Sequence, residues 1–245
     1  MIPHTIHYFW FGGGDKPEAV KKCIDSWKKS CPGFEIKEWN EDNYDVHKHP
    51  FMERAYNDRK WAFVSDYARL DKLYNYGGIY LDTDVEVIKD LSPLCEYDGY
   101  IGFEREDLVG DGAGFGGRKG LPVFKEMMEC YKDEDSYPES PLLRTKVLLL
   151  HGLKTDGKRQ TVADMEIFPT DYFCPKNYRT GEIKLTPNTY SIHHFDGSWK
   201  GENQNENGYL KLLRFLCRTF GEKGGKRIFD ALVSVKDALL KVINR

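Results

Sequence analysis

Two aspartates one residue apart, Asp82 and Asp84, are the most chemically pointed feature of the chain. On an extended strand, residues i and i+2 share a face roughly 7 Å apart, so their carboxylates can lean together. Mutual repulsion then favours a divalent cation between them. The spacing alone is weak evidence, because Asp133-Glu134-Asp135 offers a similar cluster in a polar loop. Context separates the two. From Ile79 the residues alternate, with Ile79, Leu81, Thr83, Val85 and Val87 on one side and Tyr80, Asp82, Asp84 and Glu86 on the other, which predicts one strand carrying both aspartates on a single face.

The element ahead of this strand has to position it. Phe63, Tyr67, Leu70 and Tyr74 keep helical spacing, and Asp66 and Arg69 fall on a neighbouring face. Gly77-Gly78 supplies a stop that can adopt the left-handed conformation and turn the chain straight into the strand.

These residues resemble a family. Ser65-Asp66-Tyr67-Ala68-Arg69-Leu70 followed by Tyr76 to Val85, YGGIYLDTDV, is similar to glycosyltransferase family 32. The likeness continues at Ile6 to Gly13 and at Tyr190 to His194, ending at Gly197-Ser198-Trp199, so it covers about residues 2 to 199. It implies a GT-A fold, an α/β Rossmann-like mixed sheet that binds a nucleotide sugar. It also implies retaining, Mn²⁺- or Mg²⁺-dependent transfer of a hexose or N-acetylhexosamine from a UDP-sugar to an oligosaccharide or lipid-linked acceptor, as in capsular polysaccharide synthesis. By the same resemblance, Asp84 binds the metal directly, Asp82 binds ribose or a sugar hydroxyl and a metal-bound water, and Asp66 and Arg69 hold the donor sugar. Trp10, Phe11, Tyr80, Ser198 and Trp199 complete the nucleotide-sugar site. One of His193 and His194 is the further metal ligand, although the residues alone would equally fit a buried structural histidine. Asp111 stands about where the family carries an asparagine near the donor sugar.

Composition bounds the rest. The 245 residues are 40% hydrophobic and 31% charged, which fits one large soluble domain with an appendage. From Lys200 onward ten Lys/Arg face five Asp/Glu, a surplus of +5 that leaves −8 for residues 1–199 out of the net −3. That balance argues against a nucleic-acid partner for the body. The division expected is a catalytic domain over 1–199 and a basic amphipathic helical tail over 200–245. Six cysteines without C-x-x-C pairing read as free thiols. The absence of a signal segment or a spanning apolar run leads to the expectation of a cytoplasmic protein or one peripheral on the inner face of the membrane.

Along the chain, Thr5 to Phe11 alternates as a first strand running into Gly12-Gly13-Gly14. Trp10 at its end could stack on a base or belong to the core. A helix opened by Asp15 and Pro17 and stopped at Pro32-Gly33 leads to a strand over Phe34 to Trp39, giving a right-handed crossover. Pro50 to Asn57 reads as a short helix, Tyr100 to Phe103 as a buried strand, and Pro122 and Leu142 to Leu150 as helices. Gly112, Gly114 and Gly117 formally satisfy G-x-G-x-x-G, but no helix follows at once and the preceding residues are charged, so the dinucleotide reading is rejected. Ile167 to Phe173 and Ile183 to Leu185 are expected as short strands. Residues 207–220 and 226–243 have helical spacing and could dock on the domain or lie on an anionic membrane. Two other classes compete with the transferase: a sugar-phosphate nucleotidyltransferase, whose basic triphosphate loop Gly12 to Asp15 lacks, and a non-catalytic carbohydrate-binding protein.

Overall fold

The structure is a computed structural model that describes residues 1–105, 107–132, 135–178 and 180–195, with part of 212–231. The chain divides into two compact units, Met1–Pro175 with Lys184–Trp199, and Lys176–Ile183 with Lys200–Arg245.

The larger unit is built on a mixed seven-stranded sheet. The crossover forms as expected: β1 (Thr5–Phe9) and β2 (Glu35–Trp39) pair in parallel around α1 (Glu18–Ser30). Val20, Cys23, Ile24 and Trp27 are the buried stripe of α1. Next come α2 (Pro50–Asn57), α3 (Trp61–Tyr76) and β3 (Gly78–Tyr80), then β4 (Val85–Val87), β5 (Gly99–Arg105) and β6 (Leu108–Gly117). After α4 (Pro122–Glu129) and α5 (Ser140–Leu150), β7 (Gln160–Val162), β8 (Met165–Phe168) and β9 (Ser191–His193) complete the order. The main sheet runs β2-β1-β3-β6-β5-β8-β7, while β4 and β9 pair separately. This is the mixed α/β sheet that the GT-A expectation requires. Two cores cover its faces, one around Phe51, Leu70, Phe115 and Phe124, the other around Ile6, Trp27, Tyr100 and Phe173.

The turn at Gly77-Gly78 is sterically demanding. Both glycines have positive φ, +71° and +117°, and a Cβ on Gly78 would sit 2.7 Å from His7 Nε2. That histidine is itself a tie. Trp39 Nε1 can only donate, so His7 Nδ1 must accept its bond at 3.0 Å, and Nε2 then carries the proton donated to the Gly77 carbonyl at 2.9 Å.

Three expectations need correction. The single strand from Ile79 to Val87 is broken: Asp82 N still bonds Gly112 O at 2.9 Å, but Val85 N turns back to Asp82 O at 3.1 Å, and β4 leaves to pair with β9. The two aspartates therefore flank a turn and do not share a strand face. The charged residues ahead of the glycine-rich stretch, Glu104 to Asp107, read as unlike a strand, yet Glu104 and Arg105 end β5 and the stretch itself is β6, the ten-residue strand antiparallel to both β3 and β5. Ile183 to Leu185 forms no strand; Ile183 makes an isolated bridge to Lys176, and Ile183 and Leu185 are exposed. With no sheet beside them, their apolar spacing has nothing to bury.

Among the described residues no helix is long and apolar enough to cross a membrane. Among the described residues the cysteines form no disulfide, and all but Cys130 are buried.

Candidate active site

The turn after β3 and the end of β9 bring three donors together. The register Val85↔His193 sets His193 beside the aspartates. One atom each from Asp82, Asp84 and His193 lies within 4.8 Å of the others. His193 Nε2 is 3.2 Å from Asp84 Oδ1 and 4.0 Å from Asp82 Oδ2. Burial pulls the imidazole pKa down, but the facing Asp84 outweighs it and holds the ring well above its usual value. His193 Nδ1 is buried without a hydrogen-bond partner, with Cys174 its neighbour. His194, the other histidine of the pair, points elsewhere: its Nε2 lies 3.0 Å from Glu86 Oε2. Two carboxylates and an imidazole are a fitting donor set for a hard to borderline divalent ion.

Arg69 is the hub beside this cluster. Its Nη2 lies 2.9 Å from Asp66 Oδ1 and 3.3 Å from Asp82 Oδ1, and its Nη1 lies 3.1 Å from Asp111 Oδ1. Tyr80 packs under the guanidinium at 4.2 Å and its hydroxyl donates to Asp82 Oδ1. Tyr80 is buried, so it orients Asp82 and does not present a face to a nucleotide. Asp111 is buried too, and takes bonds from Arg69, from Ser140 Oγ at 2.8 Å and from Arg144 Nε at 2.8 Å. Burial would raise its carboxyl, but the two guanidiniums beside it hold it below the ordinary range. Asp66, also buried and with the carboxylates of Asp111 and Asp82 close by, is raised despite Arg69. Arg144 carried no sequence signal, since on α5 it reads as an ordinary polar position between leucines.

The glycines of β6 make room for this arrangement. A Cβ on Gly112 would lie 2.0 Å from Asp82 Oδ2 and 3.5 Å from His193 Cε1. Its neighbours along the same face do likewise: Gly110 meets Glu104, Gly114 meets Phe173 and Gly116 meets Tyr100.

At the carboxyl end of β1 lies an open cleft of about 910 Å³, lined among others by Trp10, Gly12, Lys16, Glu41, Arg59 and Trp61. The register His7↔Tyr80 places this end of β1 beside the end of β3, where the aspartates follow. Trp10 is only partly buried, its Nε1 donates to Gly14 O at 2.7 Å, and Lys16 approaches its ring at 5.7 Å. Phe11, expected beside the nucleotide, is instead core: it is buried and stacks on Phe9 at 5.5 Å. The chain turns after β1 so that only one of the two adjacent aromatics can face the cleft. Ser198 and Trp199 lie outside the described residues.

Residues 17–100 match the family described as glycosyltransferase sugar-binding region containing DXD motif, the segment that holds Asp66, Arg69, Asp82 and Asp84. Over that segment the chain is similar to glycosyltransferase family 32. Inositol phosphoceramide mannosyltransferase 3 of Schizosaccharomyces pombe is 32% identical over 108 residues, 41% of this chain and 29% of that protein. Uncharacterized glycosyltransferase L373 of Acanthamoeba polyphaga mimivirus is 30% identical over 97 residues, 37% of this chain and 39% of that protein. The chain thus spans well under half the length of these relatives. Among solved structures, PaToxG glycosyltransferase superposes with a TM-score of 0.49 at 19% identity, covering 61% of this chain and 68% of that one. A glycosyltransferase involved in glycosylation of the major capsid of PBCV-1 gives 0.43 at 12% identity, covering 78% and 93%.

Proposed function

We propose that the chain is a retaining, metal-dependent glycosyltransferase that moves a hexose or N-acetylhexosamine from a UDP-sugar to an oligosaccharide or lipid-linked acceptor. The observation that carries this reading is the meeting of Asp82, Asp84 and His193 at the strand end next to the Trp10 cleft. Asp82, Asp84 and His193 would hold Mn²⁺ or Mg²⁺. Bound there, such an ion supplies Lewis-acid stabilisation of a diphosphate leaving group. Trp10 offers an aromatic face for a base, and Lys16 beside it a cation. Arg69, fixed by three carboxylates, presents Asp66 and Asp82 in set orientations for sugar hydroxyls. Tyr80 fixes Asp82 from below.

A second reading concerns the sugar. The fission-yeast relative is named a mannosyltransferase acting on inositol phosphoceramide, which favours mannose and a glycolipid acceptor. A peripheral membrane location belongs to the same reading, with the basic segment after Lys200 as its contact. The test is a panel of UDP- and GDP-sugars, each incubated with and without Mn²⁺. Metal-dependent release of the nucleoside diphosphate from one donor supports the transferase. No release from any donor, with no metal-dependent thermal shift by UDP or GDP, would leave the carbohydrate-binding alternative.

A further inference from the structure

The strand β5 carries a carboxylate that no role above uses. Phe103 pairs with Val109 and Arg105 with Leu108, so Glu104 is the extra residue of a bulge in β5. Bulges beside active sites commonly re-aim one side chain out of the ladder. Here the side chain folds over β6: a Cβ on Gly110 would lie 2.6 Å from Glu104 Oε2. Two residues on, the same face of β6 receives Asp82 Oδ2 and the edge of His193 over Gly112. The Glu104 carboxylate is near enough to His193, Asp82 and Asp111 for their charges to act on it. Among the described residues no side chain or backbone N–H hydrogen-bonds the Glu104 carboxylate, and no cation pairs with it, although it is only partly exposed. A half-buried carboxylate without a donor is costly unless a ligand supplies one.

We infer that Glu104 is a catalytic residue of the proposed transfer, the base that accepts the proton of the acceptor hydroxyl. The inference rests on the transferase reading above. In the step it serves, the acceptor O–H gives its proton to the Glu104 carboxylate while the acceptor oxygen bonds the anomeric carbon on the face that the diphosphate leaves, as retention requires. The bond from that carbon to the diphosphate oxygen breaks, and its electron pair leaves on the diphosphate. Protonated Glu104 then returns its proton to solvent. The environment suits a group that gains and loses a proton: burial raises the carboxyl above its ordinary value, while His193 and Arg105 moderate the shift. Asp82 and Asp111 add to the rise. Glycine at 110 and the bulge at 104 serve the same end, one clearing the space and the other aiming the side chain.

The experiment compares wild type with Glu104→Gln, Glu104→Asp and Glu104→Ala, using the donor that the wild type accepts. For Glu104→Gln, transfer kcat should fall by about 100-fold or more, the usual contribution of a general base, while the Mn²⁺-dependent thermal shift with nucleoside diphosphate stays unchanged. The acid limb of the wild-type kcat/KM profile should vanish in Glu104→Gln, and formate should partly restore Glu104→Ala. Glu104→Asp should retain part of the activity and keep the acid limb. Transfer by Glu104→Gln within about threefold of wild type, with the acid limb intact, would overturn the base role. So would loss of nucleotide binding in every variant, or a glycosyl ester trapped on Glu104, which would make it a nucleophile. A wild type without turnover or metal-dependent nucleotide binding would instead sink the transferase reading itself.

Discussion

Replacing Asp84 by Asn preserves volume and removes the charge that faces His193 Nε2 across 3.2 Å. Asp84→Asn should therefore abolish metal-dependent donor cleavage with little change in melting temperature, read by nucleotide release beside a thermal melt. His193→Ala and His194→Ala should differ sharply. The first removes a donor of the cluster and should weaken Mn²⁺ binding at least about tenfold, a typical cost of disturbing a metal site; the second lies outside the cluster, against Glu86, and should leave the Mn²⁺ requirement intact. Equal behaviour of the two variants in a Mn²⁺ titration would count against the assignment. At this scale the sequence was legible for Asp66, Arg69, Asp82 and Asp84, because motif residues are chosen for what they touch. It was silent on Arg144, whose use is visible only when α5 brings it to Asp111. It misjudged Phe11, because alternation along β1 does not reveal which of two neighbouring aromatics the following turn carries inward.

At the scale of elements, the strand β6 works by what it lacks. Gly112→Ala would push a methyl into the space held by Asp82 Oδ2, at 2.0 Å, so the carboxylate has to move. The expected result is weaker Mn²⁺-dependent nucleotide binding in a folded protein, whereas Gly33→Ala, with nothing within 4 Å of its Cβ, should change nothing. Isothermal titration of both variants with UDP and Mn²⁺ checks this. The helix α3 and the Gly77-Gly78 stop were readable because period and punctuation are local properties. The strand β6 was not, since alternate glycines look like turn signals until Asp82, Phe173 and Tyr100 arrive from distant parts of the chain to fill the gaps. The tie among β1, β2 and the end of α3 carries a pH signature. Burial lowers the His7 pKa to about 4 from its ordinary 6.5, with Lys37 and Lys72 adding to the effect. Above pH 6.5 the ring is neutral in folded and unfolded chains alike, so stability is independent of it there. As pH falls from 6.5 to 4, only the unfolded chain gains the proton, and stability declines by up to about 3 kcal/mol. Denaturant midpoints measured across this window should fall for the wild type and fall less for His7→Gln.

For the whole molecule, the charge split between a −8 body and a +5 tail bears on the proposed delivery to a membrane-borne acceptor. If residues from Lys200 bring the chain to anionic lipid, a version ending at Trp199 should keep soluble donor cleavage, lose binding to phosphatidylserine vesicles, and transfer poorly to vesicle-borne acceptor. Each basic residue near such a surface contributes about 1 kcal/mol, so wild-type vesicle binding should weaken with salt. Loss of donor cleavage together with vesicle binding would show that the tail supports the fold. The paired signs of charge were readable in the sequence; the inclusion of Lys176–Ile183 in the tail's compact unit was not, because that grouping depends on three-dimensional proximity. The burial of every cysteine but Cys130 has a practical side. A thiol reagent added to the native protein should modify Cys130 first, and each later modification must wait for the fold around that sulfur to open. Cys174, neighbour to His193, would then time breathing at the active site, while Cys31 and Cys95 would time it in the core on the α1 face. Slower labelling of Cys174 alone on addition of Mn²⁺ and nucleotide would read ligand-induced tightening without any label being engineered in.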